Sequence, residues 1–261
     1  MMGSLDCMHT WWKNCPVAWQ GSFKGAKGQP TIVLEAACDH HLWFWHASYG
    51  YAGTCNDINI MNLSWLQQSF LNVAAVEKES CVVPYNIGDE KFMQLYSLVD
   101  GIYPRYSRFV KAIKEPIIPS DRKFTLFQEA ARKDIERAFG VYQCMWQCAA
   151  RPIYQMNGEL NSEMINCTLI LHNMCVSDRV MNGDVYATYN PTNSFDSPPN
   201  IPNGRLKKYD STEIEDVPPI GVMDAPNGVQ QLVTRHERWL ALQDLPEYIR
   251  LTKALANQFK K

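Results

Sequence analysis

A change of hydrophobic period near residue 123 limits the fold more than any other feature of the sequence. Upstream, TIVLEAAC (31–38) and LWFWHASY (42–49) are β-rich runs parted only by Asp39, His40 and His41, the spacing of a hairpin. Downstream, Phe124, Phe127, Ala131, Ile135, Ala138 and Tyr142 recur every three or four residues, the stripe of an amphipathic helix. A second helix is expected over about 159–176, carrying Met164, Leu169, Ile170, Leu171 and Met174. Strands first and helices after predict an α/β or α+β protein, a sheet covered by helices.

The remaining segments fit that frame. GSLDCM reads as the first strand, followed by a loop with Gly and Pro punctuation that runs to Pro30. In GYAGTCNDINIMN, Asn56 or Asp57 is placed to cap a short helix. FMQLYSLVDG (92–101) reads as a strand that ends on Asp100. Residues 179–228 hold the Pro-, Asn- and Ser-rich run NPTNSFDSPPNIPNG and are expected to form a flexible linker. Residues 229–261 are expected to be helical, with Pro246 breaking or kinking the helix.

Nine cysteines without a CxxC pair point to a reduced cytosolic or nuclear protein rather than a disulfide framework. Cys7, His9 and Cys15 lack a fourth ligand at zinc spacing. The late apolar run MINCTLILHNMCV (164–176) is too short and too polar to span a bilayer, so no membrane is expected. A formal charge of −2 offers no global case for nucleic acid, so any such case must be local.

Three acids stand inside segments that otherwise read as structured: Asp6 in the first strand, Asp100 closing a later one, and Glu136 in the helix ARKDIERAFG. A lone buried carboxylate is costly unless it is hydrogen-bonded, paired or bound to a metal. Convergent acids suit metal-assisted phosphoryl transfer, in which two Mg²⁺ ions about 3.5–4 Å apart clamp the attacking and leaving oxygens. Plainer roles compete. Glu136 can pair with Arg132 or Lys133, Asp100 can serve the turn at GIYP, and Asp6 can accept backbone hydrogen bonds.

The blocks GSLDCMHTWWKNCP, GQPTIVLEAACDHHLWFWHASYGYAGTCNDINIMN, LVDGIYP, ARKDIERAFG and LILHNM, in that order, resemble the PIF/Harbinger transposases of the DDE endonuclease superfamily. The resemblance spans about residues 3–176. It implies an RNase H-like fold over residues 1–178, a central mixed β-sheet flanked by helices, with a partly disordered C-terminal extension. It also implies a metal-binding triad of Asp6, Asp100 and Glu136, holding two Mg²⁺ or Mn²⁺ ions for DNA cleavage and, in some settings, strand transfer. Asp57 belongs to another typical block and is a secondary candidate, read first as a helix cap.

Residues 105–137 hold nine basic residues against five acids, a phosphate-facing patch in which Lys111, Arg132, Lys133 and Arg137 are the DNA-contact candidates. The tryptophan-rich loop around Trp11, Trp12 and Trp19 either stacks an unpaired base or packs on the sheet. The family generally carries a helix-turn-helix-like region ahead of the first catalytic strand, and that region is expected to be missing here. Targeting would then fall to a Myb-like DNA-binding partner; the resemblance allows a homo-oligomer and implies the nucleus, or the cytoplasm before import, as the location. One block departs from the family: VYQCMWQC has Met145 where an arginine is usual. The rival reading is a domesticated or degenerate relative that binds DNA or protein without catalysis.

Overall fold

The computed structural model describes residues 3–25, 28–66, 84–92, 95–183 and 243–259. Its centre is a five-stranded mixed sheet. Strand β1 (Gly3–Trp11) pairs antiparallel with β2 (Thr31–Cys38), and β2 pairs antiparallel with β3 (Phe44–Ala52). The expected hairpin is present, and Asp39 builds its turn: Oδ1 accepts the amides of His41 at 2.8 Å and Trp43 at 3.1 Å. On the other side, β1 runs parallel to β6 (Ser97–Leu98), which runs parallel to β7 (Phe109–Val110), giving the order β3-β2-β1-β6-β7. The expected strand over 92–101 is thus mostly loop, and Asp100 lies beyond the end of β6. A separate hairpin pairs β4 (Tyr85–Ile87) with β5 (Glu90–Phe92).

Alternation along β1 sends its side chains to opposite faces of the sheet. One face carries Met8, Leu34, Ala36 and Cys38 into a core with Ile135, Ala138, Tyr142, Ile165 and Leu169. The opposite face carries Leu5 and Ala37 into a core with Met61, Val99, Tyr103 and Phe109. Met61 belongs to α2 (Asp57–Leu63), so the sheet is covered by helix on both faces. A helix of equal length, α1 (Val17–Phe23), interrupts the expected loop after β1. Within that segment Trp12 is buried against Trp19 and Phe23, at 5.9 and 5.0 Å between ring centroids.

The helical stripe is split. Helix α3 (Pro119–Arg132) and helix α4 (Asp134–Met145) meet at Lys133. The same spacing serves both, but Phe124 of α3 packs with Phe92, Leu98 and Val110, whereas Ile135, Ala138 and Tyr142 of α4 pack under β1–β3. After the one-turn α5 (Gln147–Ala150), α6 (Gly158–Met181) extends beyond the expected helix at its C-terminal end. The LILHNM block within it locks the hairpin. Asn173 accepts the Phe44 amide and donates to the Phe44 carbonyl, each at 2.9 Å, while His172 Nε2 bonds the Leu42 carbonyl at 3.0 Å. Burial holds the His172 pKa below its ordinary value, so the neutral ring is the donor.

The C-terminal helix α7 (Leu245–Asn257) is part of the core. Leu251, Ala254 and Ala256 close the cluster of Phe92, Leu98, Val110 and Phe124. Pro246 opens this helix instead of breaking it, because a first-turn proline lacks only an amide that has no helical partner. Asp244 caps it through the Glu247 amide at 3.0 Å. The expected linker from 184 onward and the segment 229–242 lie outside the described residues. Among the described residues no helix is long and apolar enough to cross a membrane.

Candidate active site

Asp6 sits in mid-β1 and points to the face covered by α3 and α4. Its neighbour Ser4, on the same face, donates to the Ala131 carbonyl at 2.9 Å. Glu136 projects from the first turn of α4. The two carboxylates meet at one guanidinium: Arg132 Nη1 lies 3.7 Å from Asp6 Oδ2 and 3.4 Å from Glu136 Oε1. Asp6 Oδ1 accepts the Cys7 amide at 2.8 Å, its one hydrogen bond among the described residues. Burial pushes the Asp6 pKa up to about 6 against the Cys7 hydrogen bond, with the charges of Asp57 and Glu136 raising it further and Arg132 lowering it.

Asp100 approaches from the loop after β6. Its Oδ1 accepts the Gly101 amide at 2.6 Å, and its carbonyl accepts the Tyr103 amide. Asp100 shares with Arg132 the lining of one cleft. Among the described residues, no three His, Cys, Asp or Glu side chains stand close enough together to hold a metal ion. Each of the plainer roles is therefore realised, yet each leaves a carboxylate oxygen uncommitted to a backbone donor. The donors are all hard oxygens, and Asp6 is a partly buried acid beside a neighbouring cation. That chemistry fits Mg²⁺ or Mn²⁺ better than a soft metal.

Asp57 is not the cap of α2. Asn56 takes that role, accepting the Asn59 amide at 2.8 Å. Asp57 stands in the first turn of a helix packed on the face opposite Asp6, and its charge still reaches Asp6, Cys7 and Tyr103. The other candidates separate. The Lys111 ammonium donates to the Tyr103 carbonyl and is half-buried, and burial together with the charges of Arg105 and Lys114 lowers its pKa. Lys133 is exposed on the rim of the cleft. Arg137 pairs with buried Asp134 on its own helix, so its charge is spent locally. His9 Nδ1 bonds Thr31 Oγ1 at 3.0 Å, a local role.

Glu35 escaped the sequence reading. It is wholly buried in β2, facing Cys7 across the strand pair, with one oxygen 3.0 Å from His46 Nε2. The signal was the one that singled out Asp6, an acid inside an apolar strand.

The family of proteins described as plant transposon proteins matches residues 1–183. The chain belongs to that family. No curated protein and no solved structure matches it. The span shared with the plant transposon proteins holds the whole five-stranded sheet, Asp6, Asp100 and Glu136. It ends just past α6, so α7 lies outside it. Membership gives the chain a transposon-related origin, and that origin implies dealings with DNA.

Proposed function

We propose that this plant transposon protein is a Harbinger-type DDE endonuclease, cutting phosphodiester bonds of DNA with metal bound to Asp6, Asp100 and Glu136. The convergence of Asp6 and Glu136 on the Arg132 guanidinium carries the reading, because two acids remote in sequence meet where a cation already stabilises them. The sheet order β3-β2-β1-β6-β7, with only β2 reversed relative to its neighbours, supports an RNase H-like assignment.

When bound, two divalent ions supply an activated oxygen nucleophile and neutralise charge on the leaving oxygen. Asp6 and Glu136 would offer oxygen ligands from a strand and a helix. Asp100 would add a third once the loop after β6 brings it up to them. Arg132, which bridges the two acids, would turn its charge to the substrate phosphate where metal takes its place. Lys111 and Lys133 orient the flanking phosphates. Most of the rate gain comes from positioning and from charge stabilisation. The same reading extends to the nucleus as the place of work, and to a Myb-like partner or a second copy of the chain for targeting.

Nicking of supercoiled plasmid with Mn²⁺ tests the reading. The parent chain nicks, and Asp6→Asn, Asp100→Asn and Glu136→Gln each lower the rate by about a hundredfold or more. An intact plasmid, or variants that nick like the parent, favours a domesticated binding module in which Arg132 permanently neutralises the acids.

A further inference from the structure

A cleft of about 920 Å³ opens beside Asp100 and lies between α3, the segment after β7, and α7. Six cationic residues line it, Arg105, Lys111, Lys114, Arg132, Lys133 and Lys253, against three acids. Among the described residues no ion pair is found for Arg105, Lys114, Lys133 or Lys253. The charges of Arg105 and Lys114 each act on Lys111, and that of Arg105 acts on Tyr248 of α7. Cations that outnumber the acids around them suit a polyanion. Tyr248 adds a half-buried aromatic ring to the same wall.

That wall is rigid. Leu251, Ala254 and Ala256 anchor α7 in the core, Phe259 stacks on Phe127 at 5.0 Å between centroids, and Arg250 ties the helix to Glu90 at 3.5 Å. The volume is that of a small-molecule cleft. A space of that volume is on the scale of a few unpaired nucleotides, whereas a duplex of the same length carries twice the bulk in a stiff rod.

We propose that the cleft between α3 and α7 is a channel for an unpaired DNA strand running toward Asp100, its phosphates held by Arg105, Lys114 and Lys253 and a base stacked on Tyr248. The channel rests on the reading of DNA as substrate, and it gives the C-terminal helix, outside the family span, a share in the site. A strand end is thereby distinguished from the duplex that precedes it. Every contact is to phosphate or to a ring face, so binding is independent of sequence.

The test uses the full chain in EDTA, with fluorescence anisotropy of a labelled single-stranded oligonucleotide and of the duplex made from it. Lys114→Glu combined with Lys253→Glu weakens single-strand binding at least tenfold and reduces its salt slope by about 1.4, while duplex affinity changes less than twofold. Tyr248→Leu weakens the single strand about threefold or more at unchanged salt slope. Lys91→Glu, a charge reversal on the exposed β4–β5 hairpin, leaves both unchanged. Equal loss for strand and duplex, no loss for either, or no single-strand binding by the parent chain each overturns the proposal. Cleavage plays no part in this measurement, so failure of the endonuclease reading shows separately, as a parent chain that binds the strand but does not nick plasmid.

Discussion

Asp6 holds its proton more tightly in the fold than in an unfolded chain, where its pKa is about 3.8, because burial outweighs the Cys7 hydrogen bond and the Arg132 charge. An acid raised in this way contributes stability that is complete below the unfolded value and is lost as pH rises through about 6. At neutral pH the metal-free protein therefore carries a destabilising charge at the sheet. Asp6→Asn should raise stability at pH 7.5 by on the order of 2 kcal/mol and leave it nearly unchanged at pH 4, measured by urea unfolding in EDTA. Arg132 is the counterpart. Arg132→Gln leaves two acids facing each other and should cost about 1–3 kcal/mol, between the ranges for exposed and buried pairs. The same variant should bind Mn²⁺ more tightly than the parent, because no guanidinium competes for the carboxylates. At this scale Asp6 was legible because a charge in a strand needs a partner, whereas Glu35 sends the same signal and was hidden by the apolar company of TIVLEAAC.

Among the elements, α6 does more than cover the sheet. Asn173 engages both backbone groups of Phe44, acting like one more residue of a strand at the mouth of the β2–β3 hairpin. Asn173→Ala strands a buried amide and carbonyl and should cost about 2–3 kcal/mol, with faster hydrogen exchange concentrated at Phe44 and its hairpin neighbours. The hairpin and the two long helices were readable from period and turn chemistry. The break at Lys133 was not, because α3 and α4 keep a common spacing while burying it in two different cores. Nor was the shortness of β6 readable. FMQLYSLVDG has the composition of a strand, but its pairing with β1 involves only Ser97 and Leu98 before the chain turns at Asp100. That early end is what frees Asp100 to face the cleft.

In the whole molecule, a mixed sheet brings residues from both ends of the chain to one region. Asp6 comes from the first strand, Glu136 from a helix crossing it, and Tyr248 and Lys253 from a helix more than a hundred residues beyond Glu136. The C-terminal helix was expected as a separate segment. Its apolar residues gave no hint of where they dock, and proline near its start looked like a break when it is a first-turn residue. Leu251→Ala should cost about 2–4 kcal/mol, since it opens a cavity among Phe92, Leu98, Val110 and Phe124. Thermal unfolding checks this: two-state loss of the entire fold is expected, with no separate transition for α7.

Isothermal titration of Mn²⁺ into the full chain, with Asp100→Asn and Glu136→Gln in parallel, reaches the central claim most directly. The account predicts saturable binding by the parent and a loss of at least about tenfold in affinity in each variant, as expected for ligands of one shared site. Equal binding by all three proteins, or none with DNA present, would mean that Asp6, Asp100 and Glu136 do not form a metal centre.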